Sequence, residues 1–169
     1  MKGWQFNTTN QPLELVEKPD PTVTAGRVVI DVKAAGLCHS DVGALRDKSW
    51  LEIIEYTPII MGQEVAGVIT EVGEGVTDYK VGGKVGICPV SKVGMGILQS
   101  NINTATLILK EVNLLGSNGG NVDDIAEVYK MFASGELDPL LTEITFDEIP
   151  EGLERLKRYE VEGRLVAKI

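Results

Sequence analysis

Cys38, His39 and Ser40 are consecutive, and Gln63 and Glu64 stand side by side further along the chain. Thiolate, imidazole and carboxylate groups are the donors that hold a catalytic zinc ion. Such an ion takes three protein ligands and leaves its fourth position to water or to an alcohol oxygen that the metal acidifies. Cys38 and Glu64 each carry such a donor. His39 is badly placed to join them, because adjacent side chains on a helical turn point about 100° apart. It is also the single histidine, so any site needing two imidazoles is excluded. The neutral amide oxygen of Gln63 is a poor zinc donor. Ser40 offers a hydroxyl whose simplest use is helix capping or plain surface exposure. Cys88 belongs to no metal-binding spacing and reads as a small buried hydrophobe. Val93-Gly94-Met95-Gly96 has the first two glycines of a phosphate-binding turn, but Gln99 stands at the third. No amphipathic helix followed by a second strand and an acid comes at the right distance, so the segment reads as a strand-end turn.

The elements that must position these residues follow from periodicity. Val28 to Ala34 and Val65 to Val72 are β-branched runs closed by Gly36 and Gly73, and Lys84 to Cys88 is the last strand of this half. Cys38 to Leu45, directly after Gly36, reads as a turn or two of helix. From about residue 91 the texture becomes more apolar, and Val93 to Leu98 and Thr106 to Leu115 read as buried or edge strands. Asn121 is a fitting N-cap for a helix with Asp123 and Asp124 in its first turn. Its apolar face is Val122, Ile125, Val128 and Phe132, and Gly135 is its stop. A second helix is predicted from Asp147, with Ile149, Leu153 and Leu156 inward and Arg155, Lys157 and Arg158 at its C-terminal end. Gly163 to Ile169 closes the chain as a strand. The predicted class is mainly β with flanking helices (α+β).

Composition sets the outer bounds. The chain has 169 residues, 43% of them hydrophobic, enough for one core of ordinary size. Sixteen Lys and Arg against 25 Asp and Glu leave a net charge of -9 with no basic run, which argues against nucleic acid and anionic lipid as partners. No run of about 18 apolar residues marks a membrane span, and Met1 to Phe6 lacks a signal-peptide core. The expected location is the cytoplasm. Two cysteines, Cys38 and Cys88, are too few for a disulfide scaffold.

Three stretches together resemble the zinc-dependent medium-chain alcohol dehydrogenases, which join a GroES-like β-barrel to a Rossmann domain. They are Ala35-Gly36-Leu37-Cys38-His39-Ser40-Asp41; Pro58 to Val68, running on through Gly73-Glu74-Gly75 to Gly82-Gly83-Lys84-Val85; and the tail from Leu114-Leu115-Gly116-Ser117 to Gly163-Arg164-Leu165-Val166. The resemblance implies a GroES-like barrel plus leftover strands of a Rossmann domain. It divides the chain into residues 1–90, the barrel's N-terminal segment; 91–120, remnant strands of the cofactor domain; and 121–169, helices and a closing strand that complete the barrel. It implies that Cys38 is a zinc ligand and that Ser40 passes the substrate proton. It places His39 where many members carry a basic side chain near the cofactor phosphates, and it puts Gln63 at the position of a histidine ligand, next to Glu64.

Between Pro89 and Gly94 only a few residues replace most of the family's nucleotide-binding unit, and Gly83 stands where the family mostly has Asp. With Gln63, these departures point to a shortened or engineered dehydrogenase, and a degenerate natural paralogue would read the same way. The expected function is an alcohol-dehydrogenase-like domain of the oxidoreductases without efficient NAD(P)-dependent turnover and with a doubtful zinc site. The alternatives are a non-catalytic module that forms a homo-oligomer through the strand edge 106–115, and a weak hydrolase whose metal acts as a Lewis acid in an opened cleft.

Overall fold

A computed structural model describes residues 1–52, 54, 56–87, 104–112 and 120–169. The chain runs through β1 (Lys2–Phe6), β2 (Glu14–Glu17), β3 (Val28–Gly36), α1 (His39–Arg46) and a 3-10 turn at Lys48–Glu52. It continues through β4 (Ile59–Ile60), β5 (Glu64–Val72), β6 (Lys84–Ile87), α2 (Thr104–Leu109) and α3 (Val122–Ser134). It ends with β7 (Leu141–Thr145), α4 (Ile149–Lys157) and β8 (Arg164–Lys168).

Alternation of apolar and polar residues makes β3 and β5 long strands, and they pair antiparallel from Val28↔Val72 to Gly36↔Glu64 with two register shifts. They form the middle of a five-stranded sheet, β6-β5-β3-β8-β7, beside a three-stranded sheet, β2-β1-β4. A cavity of about 310 Å³ lies between the sheets, with Trp4 and Ile60 on one side and Val32 and Val65 on the other. β7 and β8 are parallel and are joined through α4, the crossover that parallel neighbours require. The α4 backbone approaches the sheet so closely that a Cβ at Gly152 would stand 2.7 Å from a Leu37 methyl. Around this contact Leu37, Val42, Ile144, Leu153, Leu156, Leu165 and Ala167 form the main core cluster.

The predicted α+β class, the two long strands, β6, α1, α4 and the closing strand are all present. Thr145 and Glu148 form a capping box, with the Thr145 N–H and hydroxyl donating to the Glu148 carboxylate at 2.7 and 2.8 Å. The first turn after this cap is 3-10, so the α-helix itself begins at Ile149 rather than Asp147. α3 has the predicted bounds, with Asn121 accepting from the Asp123 and Asp124 N–H groups and Gly135 left-handed at its end. Its apolar face is not buried, however; Val122 is 80% exposed.

One expectation is overturned. The strand predicted over Thr106 to Leu115, and with it the strand edge 106–115 for association, is helical in its described part, Thr104–Leu109. A short apolar run fits either state by pattern, and a strand needs neighbours to complete its hydrogen bonds. Here bonds to local carbonyls close the segment instead, Lys110 N–H to Thr106 at 3.2 Å and Val112 N–H to Leu107 at 2.9 Å. Val93 to Leu98, Cys88 and Asn113 to Ser117 lie outside the described residues. Among the described residues no helix is long and apolar enough to cross a membrane.

Leu165 is fully buried at the centre of the cluster. Leu165→Ala therefore lowers the unfolding free energy by about 2–5 kcal/mol in a urea titration. A loss below about 1 kcal/mol would mean that this cluster is not the folding core.

Candidate active site

The site is built where β3 ends. Gly36 is the last residue of the strand, the Leu37 N–H donates to the Leu165 carbonyl at 3.1 Å, and Cys38 turns the chain into α1 as its N-cap. The Cys38 Sγ accepts from the Ser40 N–H at 3.5 Å and lies 3.5 Å from the Ser40 hydroxyl oxygen, toward which the thiol donates. In return, the Asp41 carboxylate accepts from the Cys38 N–H at 3.0 Å. Cys38, Ser40 and Asp41 are all buried. His39 faces the other way and stacks on Tyr159, with ring centroids 6.0 Å apart. The side-chain divergence expected for consecutive helical residues is thus observed, and it separates His39 from the thiol.

Glu64 begins β5, opposite Gly36. Its carboxylate lies over that glycine, 2.6 Å from where a Cβ would sit, and it forms an ion pair with Arg164 of β8. A Cβ at position 36 would require the Glu64 carboxylate to shift. Gln63, one residue earlier, shares with Ser40, Asp41, Trp50 and Met61 the lining of an open cavity of about 360 Å³. Ser40 and Gln63 therefore line one cavity, while Glu64 is engaged with Arg164 and His39 stacks on Tyr159.

Asp41 and Arg164 are the two site residues that sequence reasoning did not single out. Burial pushes the Asp41 carboxyl up, from the ordinary 3.8 to about 6. The Cys38 N–H bond opposes that rise, Glu64 adds to it and Arg164 subtracts from it. No ordinary capping signal marks Asp41, because the residue three positions before it is a cysteine and not Ser, Thr, Asp or Asn. Nothing local marks Arg164, which lies 100 residues from its partner.

Zinc chemistry requires three donors around one point. Among the described residues no group of three His, Cys, Asp or Glu side chains is so arranged. The donor chemistry explains why: Asp41 is bonded to the helix cap, Glu64 to Arg164, and the Gln63 side chain in the lining that Ser40 shares is an amide. These residues do not fit a catalytic zinc ion.

Residues 24–131 match the family described as alcohol dehydrogenase GroES-like domain. The chain belongs to that family. Over 87 residues, 52% of the chain, it is 40% identical to an alcohol dehydrogenase of Geobacillus stearothermophilus and 47% identical to the NADP-dependent alcohol dehydrogenase C 1 of Mycolicibacterium smegmatis. The matched stretch spans 25% and 24% of those two relatives. The GroES-like fold is shared with the alcohol dehydrogenase of the archaeon Aeropyrum pernix, at a TM-score of 0.82 and 15% identity over the whole of both chains. An acetophenone reductase of Geotrichum candidum, solved in complex with NAD, superimposes at a TM-score of 0.74 and 14% identity over 99% of this chain and 97% of its own.

The raised Asp41 pKa gives a signed pH dependence. A carboxyl whose folded value exceeds its unfolded one contributes most below the unfolded value, about 3.8, and loses that contribution as pH rises through the folded value, about 6. Asp41→Asn keeps an acceptor for the Cys38 N–H and removes the charge. The variant is therefore more stable than the parent at pH 7, by on the order of 1–3 kcal/mol. That advantage shrinks to nothing near pH 4, as paired urea titrations at several pH values will show. An advantage that does not change with pH would place the Asp41 titration in the ordinary carboxylate range.

Proposed function

We propose that this chain is the GroES-like domain of a shortened alcohol dehydrogenase, with a retained substrate cavity and without efficient NAD(P)-dependent turnover. The observation that carries this reading is the cavity itself: the family fold brings Ser40, the position implied to pass the substrate proton, into one lining with Gln63. An amide at that position cannot replace an imidazole in acidifying the alcohol oxygen through a metal, so proton removal by Ser40 has no activated partner. Residues 1–90 and 121–169 are read as two segments of one barrel, supported by the β3–β8 ladder from Ala34↔Lys168 to Gly36↔Val166. Residues 91–120 are read as the remnant of a cofactor-binding unit, reached through the short junction after Pro89. Shortening by design and natural degeneration account for it equally.

The test is steady-state absorbance at the reduced nicotinamide band, with primary and secondary alcohols and either NAD or NADP. The expected kcat/KM lies at least about a thousandfold below the roughly 10⁴ M⁻¹s⁻¹ that marks the lower end of ordinary enzymes. A value within the ordinary range overturns this reading.

A second reading, an assembly module, is favoured by the apolar surface of α2 and α3, where Ile108, Leu109 and Val122 are 75%, 84% and 80% exposed. It predicts a sedimentation mass that rises with protein concentration and falls back toward the monomer in Leu109→Asp. A monomer at every concentration excludes it.

A further inference from the structure

The residue that caps α1 is an unusual one. N-caps are commonly Ser, Thr, Asp or Asn, because a side-chain oxygen accepts the free N–H groups of the first turn. Here a thiol takes that place. The Cys38 Sγ receives the Ser40 N–H at 3.5 Å and donates toward the Ser40 hydroxyl oxygen, and Asp41 closes the box on the Cys38 N–H at 3.0 Å. Both side chains are buried, with Cys38 5% and Asp41 7% exposed. Among the described residues, the donors nearest in sequence and fold to the sulfur are engaged elsewhere: His39 with Tyr159, Glu64 with Arg164, Asp41 with the cap.

We propose that Cys38 is a metal-independent helix cap in this chain, with its sulfur satisfied by the first turn of α1 and not by zinc. The inference deepens the proposed function, and rests on it for the view that the metal position has been given up. It assigns Cys38 a structural task that a serine performs at least as well, because a hydroxyl oxygen is a better acceptor than a thiol sulfur. A zinc ligand has the opposite property, since Cys-to-Ser exchange removes the soft thiolate that the metal selects.

The experiment compares the full chain with Cys38→Ser and Cys38→Ala. Each protein is equilibrated with excess zinc chloride, desalted, and analysed for metal by plasma mass spectrometry, and each is unfolded in urea with and without zinc. The expected result is far less than one zinc per chain in all three and no effect of zinc on unfolding. Cys38→Ser unfolds like the parent, while the unfolding equilibrium constant of Cys38→Ala rises about fivefold.

About one zinc per chain in the parent, lost in Cys38→Ser, overturns the proposal. So does a Cys38→Ala protein as stable as the parent. If Cys38→Ala does not fold, the serine variant still decides: full stability without zinc supports the cap, and a loss of stability together with lost zinc refutes it. Metal content is read without turnover. Stoichiometric zinc with slow alcohol oxidation therefore overturns only this inference, and rapid oxidation by a zinc-free protein overturns only the proposed function.

Discussion

Strand β3 is held between two partners from distant parts of the chain, and the rest of the architecture hangs on that arrangement. On one side β5 pairs with it over its whole length; on the other, β8 from the C-terminal end pairs with its last residues, Ala34 to Gly36. The ladder ends where the helix begins. Hydrogen bonding from the Leu37 N–H to Leu165 carries the pairing one residue beyond the strand, so Cys38 starts α1 with its direction already set. The same three strands bring Glu64 and Arg164 together across Gly36. Residues so far apart in sequence meet because their strands flank β3, and the glycine between them leaves room for the pair.

Burial then sets the chemistry of the turn. Asp41 is enclosed because α1 packs against α4 and the sheet, and a carboxylate removed from water favours its protonated form. In that environment its acceptor capacity goes to the Cys38 N–H, and the first turn of the helix is satisfied from within. The GroES-like fold tolerates wide sequence change, as the 15% identity to the Aeropyrum pernix enzyme shows. The fold depends on strand alternation, glycines at close approaches and a few buried leucines. Chemistry depends on which donors face one point, and that can change without disturbing the fold.

Much of the scaffold was legible because its signals are local. Asn121 with two aspartates behind it and Gly135 at the far end delimit α3 to within a residue, since capping depends only on groups a few positions apart. β3 and β5 declare themselves by β-branched runs between glycines. The Thr104 to Leu109 segment was misread because an apolar run of that length carries no period that separates helix from strand, and the outcome depends on whether neighbouring strands exist to receive it. β7 was missed for a related reason: Leu141 to Thr145 is a strand because β8 lies beside it, and that neighbour arrives only after α4.

The sequence by itself determined the α+β class, the resemblance to the GroES-like family, the capping of α3 and the closeness of Cys38 to Ser40 along the chain. These follow from residue type and short spacing, which the chain holds before it folds. The tertiary structure alone decided that Cys38 is buried, that Glu64 belongs to Arg164, and that Asp41 is buried beside them. Each of those depends on which surfaces β3 brings together. Hydrogen-bond partners and solvent exposure are properties of proximity in space, and a linear order of residues does not contain them.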